Sequence, residues 1–142
     1  MNWHVRLTRL LATSSLCAAA GIACASHPTN PGQLALGQSF ELRAGSSAVV
    51  QGGLMIAFTR VTSDSRCPMD ALCVWAGDAI VALSLSQSGG DRAARELHTA
   101  SSGSEASYRT YSIKLMTLAP YPRSDRHIRP EDYVATLSVA AR

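Results

Sequence analysis

The chain has 142 residues, of which 46% are hydrophobic and 16% are charged. This length suffices for one domain with a hydrophobic core but is short for two. Its 13 basic residues exceed the 10 acidic ones, but Arg6 and Arg9 lie in a segment that we expect to be removed. The remaining chain is nearly neutral, which argues against nucleic acid as a partner.

The first 23 residues have the pattern of a secretory signal peptide. His4, Arg6 and Arg9 precede an apolar, uncharged run over residues 10–22. This run is shorter than the roughly 20 residues that a membrane span needs. We therefore predict that residues 1–23 direct export and are absent from the mature protein.

The end of this leader permits two modes of cleavage. Residues 22–24 (Ile-Ala-Cys) are similar to the lipobox of bacterial lipoproteins, in which Cys24 becomes the acylated first residue, although Gly21 stands where that motif usually has leucine. The alternative is a small-x-small pattern over residues 23–25, which would release a soluble secreted protein starting at Ser26. We favour the lipoprotein, because a polar stretch suited to a tether follows. The predicted location is then the periplasm or cell envelope, with membrane contact only through the lipid at Cys24.

Composition divides the mature chain into a tether and a domain. Residues 24–38 combine prolines and glycines with small polar residues, which predicts a flexible tether. Within residues 39–142, apolar residues follow a period of two more often than 3.6, with Gly, Ser, Asp and Pro clusters between the runs. This pattern predicts an all-β fold: a single small antiparallel β-sandwich or barrel.

The first predicted strands precede residue 87. Phe40 and Leu42 mark an edge strand, and residues 48–62 form either two short strands or one strand with a bulge at Gly52 and Gly53. The clearest strand is predicted over residues 74–86, where one face carries Trp75, Ala79, Val81, Leu83 and Leu85. This alternation places Trp75 in the core.

The second half of the domain alternates between strands and connections. A tight reversal at residues 89–91 leads to a short strand over 92–98, and residues 101–107 are predicted to be a flexible loop. A strand follows at Tyr111, Ile113 and Leu115. Residues 119–130 form a long surface connection, and residues 133–139 form the closing strand.

The cysteines predict one disulfide. Cys17 lies in the leader and Cys24 is acylated or removed, so an oxidising compartment leaves Cys67 and Cys73 as a single pair that staples a short loop. No second closely spaced pair of ligands accompanies them in the sequence, so we expect neither a metal site nor a cofactor.

The segment around these cysteines, residues 64–77 (DSRCPMDALCVWAG), carries a family resemblance. Its Ser-Arg-Cys-Pro and Cys-Val-Trp-Ala-Gly elements resemble the signature of a family of uncharacterised secreted or lipoprotein-type bacterial proteins. The similarity extends weakly to residues 111–122 and 133–139. It implies an exported small β-domain and brings no activity with it.

The disulfide loop also provides the predicted binding residues: Arg66, Pro68, Met69 and Asp70. A small covalent ring holds its tip in one conformation and so lowers the entropic cost of binding. Asp64 and Arg66 flank a turn, which predicts that they cap it or pair with each other, and Arg66 is also a candidate recognition residue. An alternative polar patch on the long connection comprises Tyr121, Arg123, Arg126 and His127.

The sequence contains no G-x-S-x-G, H-E-x-x-H or P-loop motif, and oxidised cysteines are not nucleophilic. We therefore predict a non-catalytic module of the cell envelope that binds a protein or glycan partner or has a structural role. The alternative is a protease inhibitor that presents the braced loop of residues 66–73 to a protease cleft.

Overall fold

The computed structural model of the protein describes residues 32–142. The predicted signal peptide, the acylation site at Cys24 and residues 24–31 of the predicted tether lie outside the described residues. Eight strands and one 3₁₀ turn follow in chain order: β1 Ser39–Arg43, β2 Ser47–Val50, β3 Leu54–Asp64, β4 Ala79–Gln87, β5 Ala93–His98, β6 Glu105–Tyr108, β7 Tyr111–Ala119, the 3₁₀ turn Pro130–Asp132, and β8 Val134–Ala141.

The strands form two antiparallel sheets of four strands each. One sheet has the order β2-β3-β4-β5 and the other the order β1-β8-β7-β6. The predicted all-β fold is confirmed, and of the two architectures that the pattern allowed, the structure has the sandwich. The chain passes between the sheets after β1 and after β5, so the first strand pairs with the last.

The core lies between the sheets and follows the period-two pattern of the sequence. In β4 the buried residues are Ala79, Val81, Leu83 and Leu85, and in β8 they are Ala135, Leu137 and Val139. Phe58 of β3 is the largest fully buried side chain. Side chains that alternate in this way bury one face of each sheet, and this burial is the main stabilising term of a sandwich.

β7 departs from regular alternation at a bulge. Its register against β8 shifts between Leu115 and Thr117, so that the next buried side chain after Leu115 is Leu118 rather than residue 117. One extra residue, Met116, is therefore accommodated, and its side chain is half exposed. β3 has two similar shifts between Phe58 and Ser63.

The two ends of the sandwich differ in the length of their connections. At the loop end lie three segments: residues 65–78, 99–104 and 120–133. Contacts such as the hydrogen bond from the Tyr133 hydroxyl to Asp64 hold the two sheets together there. At the opposite end lie short turns, and the Gln87 side chain donates a hydrogen bond to the Tyr111 hydroxyl.

Both ends of the described chain lie at the end opposite the loops. The Gly37 amide donates to the Val139 carbonyl, the Arg142 amide donates to Thr110, and Leu34 pairs with Val50. Ordered contacts of the domain therefore begin before Ser39, within the last residues of the stretch expected to be a tether.

Several predicted boundaries differ from the structure. The run over residues 48–62 forms two strands, which is one of the two alternatives. β6 occupies residues 105–108, where a flexible loop was expected, because Ala106 packs on the core as Tyr108 does. The strand expected from residue 74 begins only at Ala79, which has direct consequences for Trp75.

Candidate functional site

The disulfide loop (residues 65–78) joins β3 to β4 and is braced at its base. The Ser65 amide donates to the Asp78 carbonyl at 2.7 Å, and the Cys67 amide donates to the Ala76 carbonyl at 2.9 Å. The predicted bond between Cys67 and Cys73 is present, with the two Cα atoms 5.9 Å apart. The ring of residues 67–73 thus stands at the tip of a hydrogen-bonded stalk.

Gly77 allows the two sides of this stalk to approach. Its φ is +73°, and a Cβ at this position would lie 1.9 Å from the Ser65 carbonyl oxygen. Any other residue would combine backbone strain with a clash against the main chain. The glycine of the Cys-Val-Trp-Ala-Gly element is therefore a structural requirement of the loop.

Arg66 is the buried anchor of the disulfide loop, with only 6% of its surface exposed. Its Nε and Nη2 donate to the Asp64 carboxylate at 2.9 and 2.7 Å. Its Nη1 donates to the Leu118 carbonyl at 2.6 Å, and Nη2 also donates to the Pro120 carbonyl at 3.0 Å. The local pairing predicted for Asp64 and Arg66 is confirmed. A direct role of Arg66 in surface recognition does not fit this position, because its guanidinium is buried and already bonded to the Asp64 carboxylate and to main-chain carbonyls.

The same cluster perturbs the titration of its members. Burial opposes ionisation of Asp64, but the hydrogen bonds and charge of Arg66 outweigh it and lower the pKa of this carboxyl. Burial and the hydrogen bond to Asp64 raise the pKa of Tyr133 to about 12. At neutral pH the cluster is therefore an ionised pair with a neutral tyrosine, which joins the loop to both sheets.

The predicted tip residues are exposed but tied to the long connection. Met69 is 65% exposed, and its amide donates to the Pro122 carbonyl. The Asp70 carboxylate accepts hydrogen bonds from the Ser124 hydroxyl at 2.6 Å and from its amide at 2.9 Å, and these bonds lower the pKa of Asp70. Pro68, by contrast, is half-buried. The tip and residues 120–124 therefore form one continuous surface.

Trp75 was predicted to lie in the core, and this prediction is wrong. Its side chain is 82% exposed. The alternation of β4 does not extend to residue 75, because residues 74–78 belong to the stalk and Gly77 turns the chain there. Val74 is 90% exposed and Leu72 is fully exposed. Leu72, Val74 and Trp75, which lie on either side of Cys73, thus expose apolar surface to water.

A second cluster holds the base of the loop to the segment after β5. Asp78 accepts hydrogen bonds from the Thr99 hydroxyl and the Ala100 amide, both at 2.9 Å, and pairs with the His98 ring. Burial opposes ionisation of Asp78, but these hydrogen bonds lower its pKa to about 2. The carboxylate therefore acts as a fixed acceptor that fastens residues 98–100 to the disulfide loop.

A groove of about 500 Å³ opens between these elements. Its walls come from the loop base, from the segment after β5 and from the far end of β7: Arg66, Ala76, Gly77, Thr99, Ala100, Ser101, Leu115, Met116, Thr117, Leu118 and Tyr121. The only charged member, Arg66, is neutralised by Asp64. This groove was not predicted from the sequence, because neither β6 nor the bulge in β7 was predicted.

The long connection contributes the alternative patch predicted from the sequence. Tyr121 is half exposed, and its ring lies 5.0 Å from the Arg66 guanidinium. Arg123 forms an exposed ion pair with Asp125. Of the four predicted residues, Tyr121, Arg123, Arg126 and His127, Tyr121 alone lines the groove, and the other three are exposed outside it.

No family model, curated protein or solved structure matches the chain. Within residues 32–142, no helix has the length and apolar character needed to cross a membrane. The same part of the chain contains no group of three or more His, Cys, Asp or Glu residues arranged to hold a metal ion.

Proposed function

We propose that the protein is a non-catalytic binding module of the bacterial cell envelope, and that its disulfide loop docks onto a protein partner. The observation that carries this proposal is the exposure of Leu72, Val74 and Trp75 on a loop held by a disulfide and by backbone hydrogen bonds. Large apolar side chains in water are costly unless a partner covers them. A rigid loop loses little entropy on binding, and tryptophan is enriched at the centre of interfaces.

The composition of the exposed surface favours a protein over a glycan. A glycan site pairs an aromatic face with polar side chains that satisfy sugar hydroxyls. Here the neighbours of Trp75 are the aliphatic Leu72 and Val74, and Met69 is exposed on the same ring. Apolar side chains with a polar rim such as Asp70 and Arg123 match the composition of protein interfaces.

The placement of the chain ends supports a module that reaches away from its point of attachment. β4 runs from the loop end to the opposite end over nine residues, and its eight steps of about 3.4 Å span about 27 Å. The chain enters the domain at the end opposite the loops. If Cys24 is acylated, as we propose, the chain that leads to the anchor leaves the domain at the end opposite the disulfide loop. This placement favours a partner in the envelope space over the anchoring lipid surface.

Site-specific photo-crosslinking in the native host tests the proposal. A photoreactive amino acid at position 72 should give an adduct of discrete mass, whereas one at Ser88, exposed on the β4–β5 turn at the other end, should not. Adding Trp75→Ser should reduce the adduct at position 72 at least about tenfold, which corresponds to loss of one central contact. Equal adducts at positions 72 and 88, or an adduct that Trp75→Ser leaves unchanged, would exclude the disulfide loop as the docking surface.

A protease inhibitor is the second candidate, and the full exposure of Leu72 inside the braced ring is the observation that favours it. The buried Arg66 is unable to enter a protease pocket, so an exposed apolar residue of the ring would have to be presented, and Leu72 is the most exposed of these. This version predicts inhibition of proteases that cleave after apolar residues and loss of inhibition in Leu72→Asp. Absence of inhibition across serine and cysteine proteases would exclude the inhibitor and leave the binding module as the proposed function.

A further inference from the structure

The sheet that contains β7 is incomplete at the loop end. β6 pairs with β7 only over residues 111–114, although β7 continues to Ala119. The last contact on this side is the Leu115 amide, which donates to the Ser104 carbonyl. Before Ser104 the chain turns away at Gly103, with φ +92°, toward β5. Beyond Leu115, no strand among the described residues covers this edge of β7.

The uncovered edge forms the floor of the groove. Residues 115–118 line it, and Arg66 reaches the same edge by donating to the Leu118 carbonyl. Between the contacts at Leu115 and Leu118 lie Met116 and Thr117. An exposed strand edge presents main-chain donors and acceptors that another extended chain can satisfy.

The walls of the groove match a short, uncharged peptide segment. One wall carries Thr99, Ala100 and Ser101, and the other carries Ala76 and Gly77, so the surface combines small apolar groups with hydroxyls. The one charge, on Arg66, is paired. A volume of about 500 Å³ falls within the range of about 300–1,000 Å³ that is usual for binding sites.

We propose that this groove binds an extended, uncharged segment of a partner polypeptide, which continues the line of β6 and pairs with the edge of β7. The inference rests on the proposed function, because Ala76 and Gly77 follow the exposed Trp75 directly in the disulfide loop. A protein partner covering Leu72, Val74 and Trp75 would thus have the groove beside it. The backbone supplies the affinity of such strand addition, and the pocket selects the side chains.

The test uses a defined probe, the peptide acetyl-Thr-Val-Thr-Val-Thr-amide, titrated into the ¹⁵N-labelled protein. We expect the largest shifts at the amides of residues 115–118 and 99–101. Two isomers of the peptide, N-methylated on the two valines or on the first and third threonines, each lose two amide donors, and the donors lost lie on opposite strand edges. One isomer should bind at least about tenfold more weakly than the unmethylated peptide, whereas the other should still bind. No shift in the groove, or the same affinity for both isomers, would overturn the proposal.

Protein variants separate this inference from the proposed function. Ser101→Trp should fill the groove and abolish the shifts, whereas Ser102→Trp, at the exposed neighbouring residue, should not. Trp75→Ser should leave peptide binding intact, since Trp75 does not line the groove. Crosslinking from position 72 without peptide binding would refute the proposed peptide site in the groove and leave the proposed function standing. Peptide binding without crosslinking from position 72 would refute the proposed docking role of the disulfide loop.

Discussion

Trp75 shows how one residue can reverse an expectation drawn from alternation. Because its side chain is exposed, we expect Trp75→Ala to change the free energy of unfolding by less than about 0.5 kcal/mol. Phe58→Ala, in the core, should cost about 3–5 kcal/mol. Urea denaturation of both variants, with Met69→Ala as a second exposed control, measures the contrast. A large loss in Trp75→Ala would show that the indole is packed in solution.

Arg66 is expected to be among the most sensitive polar residues of the domain. Arg66→Ala would remove the guanidinium hydrogen bonds to the Asp64 carboxylate and leave the carbonyls of Leu118 and Pro120 without this donor in a buried place. Removing one partner of a buried ion pair costs about 3–5 kcal/mol. Arg66→Lys should restore only part of this loss, because an ammonium lacks the planar fork of the guanidinium. The exposed Arg126→Ala serves as the control, and equal stability of Arg66→Ala and Arg126→Ala would contradict the prediction.

Asp78 makes the stability of the loop end depend on acid. Its pKa in the folded protein is about 2, against 3.8 ordinarily, so the unfolded chain takes up the proton first as the pH falls. The stabilisation is fully present above about pH 4 and is lost as the pH falls toward 2. Its size is on the order of 1 kcal/mol after allowing for partial solvent exposure. In urea melts between pH 2 and 6, Asp78→Asn should flatten this dependence, whereas Asp91→Asn, at an exposed residue, should not.

At the scale of the element, the disulfide stabilises the loop and not the sheets. The bond closes a ring between residues six apart, which corresponds to about 2 kcal/mol on the chain-entropy model. Replacing both Cys67 and Cys73 by alanine should therefore lower the unfolding free energy while leaving the β-sheet circular dichroism unchanged. Intact mass should show the native protein about 2 Da lighter than its reduced form, from the two hydrogens lost on oxidation. A free dithiol in protein purified from its native host would contradict the bond.

Strand interiors were predictable from the sequence, but strand ends were not. The buried residues of β4 and β8 follow directly from alternation, because each contributes one face to the core. The start of β4 was misplaced because residues 74–78 continue its apolar character without continuing its hydrogen bonds. The bulge at Met116 and the pairing of β6 depend on packing between the sheets. The disulfide and the Asp64–Arg66 pair were predictable from local spacing, whereas the groove depends on residues from three distant segments.

At the scale of the whole molecule, attachment to the membrane is the first property to establish. We expect Cys24→Ala to release the protein from membranes into the soluble fraction and to abolish its labelling by palmitate, because one acylated cysteine is the proposed anchor. Fractionation and labelling of wild type and variant measure this. An unlabelled wild-type protein that fractionates as the variant does would favour cleavage before Ser26.

The pairing of β1 with β8 has a mechanical consequence for a protein held at one end and bound at the other. Tension between an amino-terminal anchor and a partner on the disulfide loop would run parallel to the strands, since β1 leads from the entry point toward the loop end. The five residue pairs from Ser39–Ser138 to Arg43–Val134 would then be loaded in shear, all at once, rather than opened one after another. A sandwich tethered in this way resists extension through its first strand, and the rate at which β1 slides off β8 would set how long the link survives under load.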